Sequence, residues 1–149
     1  MDDTLIRIMR LAGRGYTCSQ ILLKMALEDR GNENPELVRA MEGLAYGCGS
    51  GWATCGALTG GCCVLALACG KGTDAETSSE RLPLMLQELT DWFVEKAKGE
   101  NGGISCESIV GEAGPAASRE TCGMLVAETY ARTMEILFRN GFDPAGESL

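Results

Sequence analysis

The segment 51–70, GWATCGALTGGCCVLALACG, limits what this chain can fold into more than any other. From Cys55 to Cys69 it holds no charged residue and reads as one helix. That run falls short of the ~18–20 residues a membrane span requires, and Gly and Thr interrupt it. A helix apolar on all sides and too short to span belongs in a protein core, with other helices packed around it. Cys55, Cys62 and Cys69 lie seven apart on one face, with Thr59 and Ala66 between them. Gly56 and Gly60 form a second strip of small residues, and such strips let neighbouring helices approach closely.

The remaining chain supplies those neighbours. Apolar positions recur at helical spacing, and alternating strand-like runs are absent. A first helix is predicted over residues 3–12, ended by Gly13. A second follows Thr17 and runs to Gly31, with Thr17 and Gln20 as a capping box. A third opens at Asn34, with Pro35 in its first turn. After the loop GCGSGWAT comes the Cys55–Cys69 helix, then a long helix over about 80–98 with Leu82, Met85, Leu86, Leu89 and Phe93 on its apolar face. GENGGIS breaks it, CESIV forms a short turn of helix, GEAGPAAS follows, and a last helix runs from about 120 to 139. The expectation is an all-α, single-domain bundle of five to six helices over residues 1–149. Aromatics make up 5% of the chain, so Leu, Ala, Val, Ile and Met must build the core.

With a formal charge of −8 the chain has no cationic excess for a nucleic-acid backbone, and none is expected as a partner. The opening MDDTLIRIMRLAGRG lacks the apolar core and cleavage site of a signal peptide, so a cytoplasmic protein without a membrane span is expected. In that compartment eight cysteines do not read as a structural disulfide framework. The chain has no histidine, which removes Cys–His dyads, Ser–His–Asp triads, His-ligated metals and haem attachment through CxxCH.

The cysteines separate into two groups. Cys18, Cys55, Cys106 and Cys122 each follow a Ser or Thr (Thr17, Thr54, Ser105, Thr121) placed where a helix cap is predicted. A cysteine in the first turn meets unpaired N–H groups and the positive end of the helix dipole, which favour a thiolate and lower its pKa. If the four helix starts converge, they form an anion-friendly site ringed by sulfur; if they do not, each is a small residue near a cap. Cys62, Cys63 and Cys69 read as core packing. Cys48, in the glycine loop, is a candidate extra ligand.

Other signals are weaker. GCGSGWATCG has neither a preceding strand nor the Lys-Ser/Thr ending of a phosphate-binding loop. Its glycines suit close backbone approach or N–H groups turned toward sulfur. Trp52 reads as a rim or core aromatic. Glu42, Glu107 and Glu120 are candidate acids near the site, with solvated surface as the default. Met25, Met85, Met124 and Met134 read as core.

Cys18 in TCSQ, Cys55-Gly56-Ala57-Leu58-Thr59-Gly60, Cys106 in SCESI and Cys122 in TCGM together resemble the C_GCAxxG_C_C family of redox-active proteins, over about residues 15–139. The family's cysteines are the four that the capping pattern selects. The domain is also similar to part of the split-Soret cytochromes, which carry haem and have been associated with an iron–sulfur centre. Haem motifs are missing, so no haem is expected. The resemblance implies redox chemistry without naming a substrate. The four cysteines are thus expected to act in thiol–disulfide exchange, with Cys55 attacking because its glycine-rich entry leaves it most accessible, or as ligands of an iron–sulfur cluster or another thiophilic metal. The contrasting expectation is a non-catalytic helical binding or scaffold protein, with structural zinc or none. A redox partner protein or small thiol would be the partner, and a homodimer is compatible with the small-residue strip.

Overall fold

The computed structural model describes residues 3–98, 102–114 and 118–143. Parts of GENGGIS and GEAGPAAS, and both chain ends, lie outside them. The described residues form an all-helical bundle of seven helices: α1 (Asp3–Gly13), α2 (Cys18–Asp29), α3 (Pro35–Met41), α4 (Gly56–Cys69), α5 (Leu82–Ala97), α6 (Cys106–Val110) and α7 (Arg119–Arg139). The count exceeds the expected five to six because CESIV, read as a short turn, forms the capped helix α6; the expected helix at Asn34 is α3. Asn34 Oδ1 accepts from Leu37 N at 3.2 Å, and Ser105 Oγ accepts from Ser108 N at 3.1 Å. In α2, Thr17 N donates to Gln20 Oε1 at 3.1 Å, as the capping box requires.

Helix α4 runs between α2, α5 and α7. Its glycines set the spacing. A Cβ on Gly60 would stand 3.1 Å from Ser19 Cα and 2.9 Å from Leu22 Cδ1, so the Gly56-x-x-x-Gly60 face lies directly on α2. A Cβ on Gly61 would meet Leu89 of α5 at 3.0 Å and Thr133 of α7 at 3.1 Å. Thr129 and Thr133 are fully buried there, and each hydroxyl donates to a carbonyl one turn back at 2.7 Å, which leaves the polar atoms satisfied. Around them Leu22, Met25, Leu65, Met85, Leu89, Phe93, Ile136 and Leu137 fill the core. Leu82 and Leu86 pack only partly against it.

Some expected core positions are not buried. Met124 is half exposed, and Trp52 is 73% exposed, so neither is core. Cys62, Cys63 and Cys69 pack against the core but stay half-buried at its edge. A polar clamp joins α1, α2 and α7: Tyr130 of α7 donates its hydroxyl to Asp29, which also takes Arg7 of α1 at 3.0 Å. Among the described residues, no helix is long and apolar enough to cross a membrane.

Candidate functional site

Between α1, the start of α2, the loop before α4, α6 and the start of α7 lies a cavity of about 660 Å³. Cys18, Cys55, Cys106 and Cys122 all line it. Four segments far apart in the chain therefore bring one sulfur each to a single space. Cys48 is exposed and does not line the cavity, and neither do Cys62, Cys63 and Cys69.

The capping expectation holds for two of the four. Cys18 follows the cap Thr17, and Cys106 follows the cap Ser105. Cys55, however, is itself the cap of α4, because Thr54 is engaged in an antiparallel bridge with Ser105. Three backbone bonds hold that bridge: Cys55 N to Ile104 O (2.8 Å), Cys106 N to Ala53 O (3.1 Å) and Glu107 N to Gly51 O (2.7 Å). They fix Cys55 and Cys106 side by side without any covalent link. Cys122 lies further into its helix than expected. The cap of α7 is Ser118, and the Cys122 N–H is already bonded to the Ser118 carbonyl at 2.9 Å.

The glycine loop makes the assembly possible through unusual backbone. Tyr46, Gly47, Cys48 and Gly49 all have positive φ, at 57°, 62°, 56° and 79°. Two of them are not glycine, and left-handed backbone costs such residues about 1–2 kcal/mol each. The turn brings the Tyr46 N–H to the Cys18 sulfur. It also wedges Gly47 so tightly that a Cβ there would lie 2.6 Å from Ala53 O and 3.1 Å from Cys106 Cβ. Gly56 is equally close to its neighbour, since a Cβ would stand 2.6 Å from Cys18 Sγ. The first glycine of the CGAxxG motif thus seats the sulfur of Cys18, and the last seats the backbone of α2.

The predicted lowering of thiol pKa values is overturned. Burial pushes all four thiols up, Cys55 from 9.0 to about 12. Backbone N–H groups do face sulfur as expected: those of Tyr46, Ser19 and Gly56 at Cys18, and that of Ala57 at Cys55. Their pull is outweighed by desolvation. Repulsion among the thiolates adds to burial: Cys55 feels Cys18, Cys122 and Cys106, and Cys106 and Cys122 both feel Cys18. Cys122 also feels Cys106, so each of the four thiolates repels the other three. Cys55 is buried and Cys18 is not, so the premise that Cys55 is the most accessible thiol is not met.

The family model described as putative redox-active protein (C_GCAxxG_C_C) matches residues 16–136. The chain belongs to this family. No curated protein and no solved structure matches it. The cysteines that carry the C_GCAxxG_C_C pattern are those of the cavity.

One lining residue escaped the sequence reading. Among the described residues, Arg119 of α7 is the only charged side chain on the cavity wall. Its signal was present, because it precedes Cys122 by three residues and therefore shares its helix face. Of the candidate acids, Glu107 lies beside the site and pushes the Cys106 thiol further up, but it does not line the cavity.

Proposed function

We propose that this chain is a redox protein whose centre is the set Cys18, Cys55, Cys106 and Cys122, working by thiol–disulfide exchange. The observation that supports this reading is the meeting of four thiols from four segments in one cavity. Cys18 takes the attacking role: it is less enclosed than Cys55 and receives the most N–H groups. Its thiolate attacks one sulfur of a partner disulfide, forming a mixed disulfide and releasing the other sulfur as a thiolate that takes up the proton Cys18 gave up. A second site thiol, with Cys55 the neighbour that α4 presents, then displaces the remaining sulfur and loses its proton to it. The protein gives up two electrons and becomes an intramolecular disulfide, while the partner leaves as two thiols. A reducing compartment such as the cytoplasm suits a protein that must start as free thiols.

The raised pKa values favour a second reading, an iron–sulfur cluster. Four thiolates that repel one another in a buried space are stabilised by cationic iron, and Cys18, Cys55, Cys106 and Cys122 would hold the cluster, which supplies one-electron transfer. Single zinc fits less well, because among the described residues no three Cys, Asp or Glu side chains are placed to hold one metal ion.

Anaerobic purification followed by a visible spectrum, iron and zinc assays and a thiol count tests both. A colourless, metal-free protein losing about two thiols on mild oxidation supports thiol–disulfide exchange. Visible absorbance with matching iron replaces it by the cluster reading. Bound zinc without redox response overturns both.

A further inference from the structure

We infer that Arg119 makes the four-thiol cavity selective for small disulfides that carry a carboxylate. This rests on the thiol–disulfide reading above and adds the substrate class. The chain has 21 acidic and 13 basic residues, yet among the described residues no acid lines the cavity and one base does. The rest of the wall is largely hydrocarbon, including Ile8, Ile21, Ile109, Val110 and Val126. An apolar space with a single cation recognises a molecule with an apolar body and one anionic group near it.

The placement of Arg119 serves the cavity better than the helix. It occupies the first position of a 21-residue helix, where the macrodipole favours an acid over a base. None of the ion pairs formed among the described residues includes it. Arg119 is exposed at the rim of the cavity, one turn before Cys122 on the same helix face as that reacting sulfur. A carboxylate two or three bonds from a disulfide can therefore be held while a sulfur of that disulfide meets Cys18.

The step balances as above. The bound disulfide accepts two electrons and two protons and leaves as two carboxylated thiols, and two site thiols become one disulfide. Arg119 holds the carboxylate throughout and exchanges no proton, since guanidinium stays charged.

The test compares two disulfides of similar size, 3,3′-dithiodipropionate (two carboxylates) and bis(2-hydroxyethyl) disulfide (neutral). The full-length reduced protein is used in a Cys48→Ser background, so that the exposed thiol does not consume reagent. Loss of the four site thiols is followed by peptide mapping. The expected ratio of second-order rate constants, dicarboxylate over neutral, is about tenfold or more, the scale of a charge-assisted bidentate contact. Arg119→Gln should collapse that ratio to one or below, because a protein of charge −8 otherwise repels the anion. Arg119→Lys should restore part of it. A wild-type ratio near one, or an Arg119→Gln variant that slows both disulfides in parallel, overturns the inference and leaves the exchange reading standing. If neither disulfide oxidises the site thiols, the exchange reading fails and the inference falls with it.

Discussion

The two ends of helix α4 carry the same residue type to different ends. At its start, Cys55 caps the helix, Gly56 presses on Cys18 and Ala57 lines the cavity. Further along, Cys62 and Cys63 lie against the bundle core and face no third sulfur; burial raises both, and Cys62 is raised further by Cys63. Burial is common to both groups, and convergence is not. A cysteine becomes part of a centre through what other segments bring to it, so position along one helix cannot distinguish the groups.

The largest contrast between the two ends should appear in redox titration. Under the exchange reading, Cys18→Ser or Cys55→Ser removes the two-electron oxidation entirely while thermal melting shows a folded protein; Cys62→Ser and Cys63→Ser retain it. Loss of the titration in either of the latter would erase the division.

Next in size is a glycine comparison, read from urea unfolding. Gly47→Ala places a Cβ against the Ala53 carbonyl at a φ of 62°, and should cost about 2–4 kcal/mol. Gly61→Ala at the core end meets side-chain atoms rather than backbone, at an ordinary helical φ, and gains about 1 kcal/mol of helix propensity, so its net cost should stay below about 1–2 kcal/mol. Equal costs would mean that the site end is no more tightly built than the core.

Up to about pH 10 the pH response is smaller, about 1.4 kcal/mol, and belongs mainly to the site end. Because the folded state raises the Cys55 pKa from 9.0 to about 12, it holds that proton more tightly than the unfolded chain does. The resulting stabilisation is complete below pH 9 and is lost as pH rises through that window. The urea midpoint of the reduced protein should fall there, and Cys55→Ser should flatten the fall. Smallest of all, Cys62→Ser should cost about 0.5–1 kcal/mol, as a hydroxyl replaces sulfur at a half-buried position. A cost of several kcal/mol would instead make Cys62 an interior residue.

Much of this architecture is legible in residue order. Periodicity locates the helices, Asn34-Pro35 and Thr17/Gln20 mark their starts, and the Ser/Thr–Cys pairs select the four cavity cysteines. The failures share one cause, which is contact across the chain. Thr54 looks like a cap until Ser105 pairs with it, and the cap then passes to Cys55. Ser118 displaces Thr121 by starting α7 earlier than the apolar pattern suggests. Helix-start thiols look acidic until the depth of their burial is known, and local sequence does not encode depth. The left-handed turn at Tyr46–Gly49 is visible only as glycine enrichment.

The bridge between Thr54 and Ser105 also sets an order of events during synthesis. Cys18 and Cys55 leave the ribosome well before the segment that supplies Cys106, Cys122 and the backbone partners of Cys55. Until that segment docks, the early pair lacks the part of the cavity wall that Cys106, Ile109, Val110 and Cys122 supply. The nascent chain therefore passes through an interval in which its sulfur chemistry is not fully enclosed, and completion of the bundle ends it.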